Sequence, residues 1–113
     1  MEINGYVYLL CDPSNDLFKI GVTRSPKGKR FKQLQTGNGT ELILRYLYPC
    51  EYPFELEKIL HRKFSYKREL GEWFLLDVDD VIGFMDICKK EDELMHTVFE
   101  IQDKLKSGKP YYI

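Results

Sequence analysis

Glu57 and His61 stand four residues apart in a stretch, Phe54 to Phe64, where Leu56, Ile59, Leu60 and Phe64 recur at helical spacing. On a helix this puts a carboxylate and an imidazole on one face beside a buried stripe. An unperturbed imidazole titrates near pH ~6.5, which suits a proton acceptor working near neutrality. Upstream, Lys29-Arg30-Phe31-Lys32 clusters cations on a short amphipathic segment. The formal net charge of −1 conceals an uneven distribution. Residues 1 to 68 carry 12 Lys+Arg against 7 Asp+Glu, and the remainder carries 5 against 11. A polyanion is therefore expected to dock on the N-terminal part.

The elements that must position these residues are legible from pattern. Tyr6 to Cys11 is a β-branched and aromatic run that ends at the turn formers Asp12-Pro13-Ser14-Asn15-Asp16, and Phe18 to Val22 resumes it. The pair predicts a β-hairpin with a loop longer than two residues. Pro26 opens a basic helix with Phe31 and Leu34 facing inward, and Gly37-Asn38-Gly39 stops it. Glu41 to Tyr48 predicts a third strand closed by Pro49, and Pro53 begins the helix that bears Glu57. Gly71 to Leu76 reads as a strand or short extended segment. Asp77 or Asp79 then caps a helix burying Val81, Ile82, Phe84, Met85 and Ile87, and a last helix runs from Glu91 to Lys106.

The chain has room for one core. Residues 1–90 are expected to form the main domain, with 91–113 a helical extension packed on it or used for interaction. Cys11, Cys50 and Cys88 match neither a disulfide framework nor a zinc motif, so reduced, buried thiols are expected. No apolar run reaches the ~20 residues that span a bilayer, and the opening MEINGYVYLLCD lacks a secretory basic region; an intracellular location in cytoplasm or nucleus, off the membrane, is expected.

Five stretches occur in order: Gly5-Tyr6-Val7-Tyr8, Lys19-Ile20-Gly21, Lys29 to Gly37 (KRFKQLQTG), Glu57-Lys58-Ile59-Leu60-His61, and Gly71-Glu72-Trp73-Phe74. Together they resemble the GIY-YIG nuclease superfamily, in particular its small single-domain branch from phages, large DNA viruses and meiosis-upregulated proteins. The resemblance covers about residues 5 to 76. It implies an α+β fold with a short antiparallel three-stranded sheet flanked by helices, to which this chain adds C-terminal helices.

The same resemblance implies a site of Tyr8, Lys19, Arg30 and Glu57. Glu57 would bind a single divalent ion, Mg²⁺ or Mn²⁺. Arg30 would stabilise the charge that develops on phosphate. Tyr8, helped by the Lys19 ammonium, would handle the attacking water. Lys19 stands where many relatives carry Tyr, and Leu34 where many carry a second His or Tyr. His61 is therefore the alternative proton acceptor, and Glu72 is expected to orient a cation near the site. Arg24, Lys27, Lys29, Lys32, Arg45, Arg62, Lys63, Lys67 and Arg68 would neutralise phosphates without reading bases. These residues lead to the expectation of a metal-dependent DNA endonuclease, with RNA also open as a ligand. The alternatives are a non-catalytic nucleic-acid-binding module of the same fold within a larger complex, and a homodimer or other assembly built through the acidic C-terminal segment.

Overall fold

A computed structural model describes residues 2–25 and 41–108. The expected basic helix with Lys27, Lys29, Arg30, Lys32 and Leu34 lies outside the described residues. The hairpin forms as read from sequence. Strand β1 (Gly5–Asp12) pairs antiparallel with β2 (Leu17–Thr23), Tyr8 lying opposite Gly21 and Leu10 opposite Lys19. In the connecting turn the Asn15 side-chain amide donates to Asp12 Oδ2 at 2.9 Å, and Asp16 adopts φ 53°. Acidic and amide residues tolerate that left-handed conformation better than β-branched ones.

Strand β3 (Ile43–Cys50) pairs with the other side of β1 and runs through Pro49, which the sequence placed beyond its end. β3 is an edge strand, the position where a sheet accepts proline. On the far side, β5 (Trp73–Phe74) pairs with β2, and β4 (Arg68–Leu70) pairs with β5. The sheet order is β3-β1-β2-β5-β4. The antiparallel α+β design stands; among the described residues the sheet has five strands rather than three, with β5 inside the Gly71–Leu76 stretch read as a strand or short extended segment and β4 unanticipated. A strand of three exposed residues such as β4 is too short to display an alternating pattern. Gly71, at φ +57°, makes the tight return between β4 and β5.

Helix α1 (Pro53–Lys63) starts with proline in its first turn and has no side-chain cap. Its Leu56 and Leu60 are fully buried against the sheet face that carries Val7, Leu9, Ile20 and Phe74. Helix α2 (Val78–Ile82) is capped by Asp77 in a reciprocal box with Asp80. After Gly83, helix α3 (Phe84–Lys106) continues unbroken for 23 residues. The break thus falls at Gly83, ahead of the sequence-predicted boundary near Glu91. Phe84, Cys88, Asp92 and Met95 share one buried face across that boundary, and the charged run around Lys89-Lys90 is the outer side of one helix. Ile82, expected in the core, is exposed. Among the described residues no helix is long and apolar enough to cross a membrane.

A buried polar contact joins α3 to β3. Tyr48 donates its hydroxyl to Asp92 Oδ2 at 2.8 Å, and His96 Nε2 lies 3.4 Å from Asp92 Oδ1. Burial, then the hydrogen bond and charge of Asp92, raise the Tyr48 phenol above its usual range. Burial first, and Asp92 second, push the Cys50 thiol up to about 12. Cys11, Cys50 and Cys88 are all free thiols, with Cys50 and Cys88 buried and Cys11 partly so.

Lys67 binds both Asp77, at 3.0 Å, and Asp80, tying the short helical turn Ser65–Lys67 to the α2 cap. The Asp80 backbone N–H first, and Lys67 next, hold the Asp77 carboxyl below its usual range. Hydrogen bonds to Asp80 and then Asp77 raise the Lys67 ammonium above its own. The Asp77 contribution is complete above the ordinary carboxylate value of about 4 and fades as acid protonates the folded state. The Lys67 contribution is complete below about 10.4 and fades as base removes its proton. Lys67→Met is accordingly predicted to lower the urea midpoint at neutral pH, with the deficit shrinking below pH ~4. A deficit constant across the acid range would show that the ammonium charge is not what stabilises the cap.

Candidate active site

Strand β2 is the centre of the site because it presents its backbone to two elements at one residue. The Ile20 N–H donates to the Glu72 carbonyl at 3.2 Å. The Ile20 carbonyl lies 2.8 Å from His61 Nε2. A carbonyl oxygen can only accept, so Nε2 carries a proton, and in the neutral ring Nδ1 then holds the lone pair. The His61 ring also meets Phe74 edge-on at 5.1 Å. Imidazole orientation and tautomer are thereby both fixed.

Glu57, one turn before His61 on α1, and Glu72, on the turn between β4 and β5, complete a group of three. A ligand atom from each lies within 4.8 Å of the others, and all three side chains are partly buried. Glu72 Oε2 also takes an ion pair from Lys19 Nζ at 2.7 Å, the cation-orienting contact expected of it. The same ammonium sits 5.7 Å from the centre of the Trp73 ring. Only 9% of Lys19 is exposed, which makes this pair stronger than a surface one. Glu72 retains its second carboxylate oxygen. Two carboxylates next to an imidazole form a donor set that fits a divalent cation, with the oxygens suited to Mg²⁺ or Mn²⁺.

Tyr8 lies on the other face of the sheet, in register with Gly21 and on the same side as Lys19. Its ring lies over Gly21 and has no exposed surface. This explains the glycine in Lys19-Ile20-Gly21: a methyl group there would strike both the hydroxyl and the ring of Tyr8. Glu57, His61 and Lys19 are thus gathered at β2, with Tyr8 packed on the same strand. Arg30 lies outside the described residues. Glu72 is the member that sequence reasoning treated only as an orienting group. Its signal was the Gly-Glu-Trp-Phe stretch, whose proximity to Glu57 depends on β5 pairing with β2.

The cations expected to bind nucleic acid fall in different places. Arg45 and Lys67 line a cleft of about 630 Å³ that also contains Asp16 and Asp77. Arg62 borders a groove between α1 and α3, and Lys63 pairs with Glu91 at 3.5 Å. Arg24 lies over Phe54 and Arg68 over Phe74, each at ring distances below 6 Å. Lys67 has two aspartates as partners, so its charge is largely neutralised within the fold. Lys27, Lys29 and Lys32 lie outside the described residues.

Gly21→Ala is predicted to destabilise the chain by about 1–3 kcal/mol, the usual cost of overpacking. The loss should persist in a Tyr8→Phe background, since the ring collides as well as the hydroxyl. Urea denaturation of the single and double variants measures this. Full relief by Tyr8→Phe would mean that the ring does not lie on Gly21.

Residues 5–89 match the family model of the T5orf172 domain. No curated protein and no solved structure matches the chain. Because the match spans most of the sequence, the chain belongs to the T5orf172 domain family, a phage-associated, nuclease-related group to which a nuclease-like or DNA-binding role attaches.

Proposed function

We propose that this protein is a GIY-YIG-type endonuclease that hydrolyses phosphodiester bonds in DNA with one divalent ion. The observation that carries this reading is the convergence of Glu57, His61 and Glu72 within 4.8 Å, beside Lys19. Glu57 and the second oxygen of Glu72 would hold the ion. Bound there, Mg²⁺ or Mn²⁺ supplies positive charge to a phosphate oxygen and acidifies a water. Lys19, held by Glu72, keeps a further positive charge near the carboxylates, and Arg30 supplies the charged fork for the developing phosphate charge.

For the proton acceptor, His61 is favoured over Tyr8. The His61 Nε2–H is committed to Ile20, which leaves Nδ1 as a base on a partly buried ring. Tyr8 has no surface for a water to touch. The role of Tyr8 in this reading is to brace β1 against β2 behind the site.

The full burial of Tyr8 also favours a second reading, a binding module that retains the fold without turnover. A plasmid-nicking assay separates the two. The native chain is expected to nick DNA with Mg²⁺ or Mn²⁺ and to stop with chelator. Glu57→Ala should lower the rate at least ~100-fold, as loss of a transition-state electrostatic contact does, while salt-sensitive DNA binding persists. His61→Ala should be as severe, with Tyr8→Phe milder; the reverse order would return the proton to Tyr8. Binding without metal-dependent nicking would establish the second reading.

A further inference from the structure

Helix α3 has two apolar faces. One carries Phe84, Cys88 and Met95 into the core. The neighbouring one carries Leu94, Val98, Ile101 and Leu105, which are 61%, 49%, 47% and 61% exposed. Their intervals of four, three and four residues form the seam of a coiled coil. From Glu100 to the helix end every residue is exposed, so this seam leaves the body of the protein. A solitary surface helix would be polar on that side. Where the seam meets the body, α1 and α3 leave a groove of about 390 Å³ with Ile59, Met95 and Phe99 along it and Lys58, Arg62 and Glu91 beside them.

We infer that this face binds a second copy of the same chain, the two α3 helices packing antiparallel about a two-fold axis between Val98 and Ile101. The apolar sequence is self-complementary under that axis: Leu94 meets Leu105 of the second copy, and Val98 meets Ile101. The charges agree with it. One flank of the seam carries Lys90, Glu93, Thr97, Glu100 and Lys104. Antiparallel packing brings Lys104 beside Glu93 of the other copy, and Glu93 beside its Lys104. A parallel pair would instead set this flank against the side of Glu91, Met95, Gln102 and Lys106, where Glu91 already pairs with Lys63 and Met95 is buried in its own core.

The contact runs about 17 Å along the helix, from the rise of ~1.5 Å per residue. That length is small for an interface, so dissociation in the micromolar range is expected. The inference stands on α3 and is independent of the catalytic reading.

Sedimentation equilibrium of the full chain from low micromolar to millimolar concentration tests it, with circular dichroism checking the fold. The native chain is expected to pass from monomer to dimer. Val98→Asp with Ile101→Asp, both at exposed positions, should remain folded and monomeric. Glu93→Lys alone should weaken the dimer, and Glu93→Lys with Lys104→Glu should restore it. A native chain monomeric throughout, a dimer that survives the paired aspartates, or a charge swap that fails to restore association would each overturn the inference.

Discussion

The peptide of Ile20 is where sheet and site become one structure. β5 is two residues long and covers only Phe18 and Lys19 of β2, so the next stretch of the strand faces outward with backbone groups that still need partners. The Glu72 carbonyl takes the Ile20 N–H, and the His61 ring takes its C=O. One residue thereby anchors the turn that carries Glu72 and the helix that carries Glu57 and His61. These backbone hydrogen bonds, on the flank of β2 that β5 leaves uncovered, bring Glu57, His61 and Glu72 together.

That anchoring relies on packing behind it. Leu56 and Leu60 fix the rotation of α1 by entering the core, and the same rotation turns Glu57 and His61 toward β2. On the opposite sheet face Tyr8 closes against Gly21, leaving Lys19, two residues earlier on β2, to reach Glu72. The site is therefore held from both faces of one strand. Lys19 shows how a cation can be buried at low cost: a carboxylate at 2.7 Å and an aromatic face take the place of water.

The far end of the molecule solves a different problem. Asp92 is almost fully buried between α3 and β3, where the Tyr48 hydroxyl meets one carboxylate oxygen and His96 lies beside the other. Such a contact contributes more to direction than to net stability, since burying the charge offsets much of what the single Tyr48 hydrogen bond supplies. It sets where α3 sits on the sheet while the helix continues beyond the body with its second apolar seam uncovered.

Local pattern alone determined a good part of this protein. The hairpin was legible because alternation and turn residues act over a few positions, and α1 because its apolar stripe has a clear period. The i, i+4 spacing of Glu57 and His61 fixed their common face once the helix was assigned. What only the tertiary structure decided was everything that depends on distant partners. Strand β4 is too short to declare itself and exists by pairing with β5, which in turn pairs with β2. The continuity of α3 through Lys89-Lys90-Glu91 follows from a buried face that a charged run hides in one dimension. Glu72 joined Glu57 for the same reason: fifteen positions apart in the chain, they meet because the backbone hydrogen bonds of Ile20 bring them to one strand edge, and no local propensity encodes that meeting.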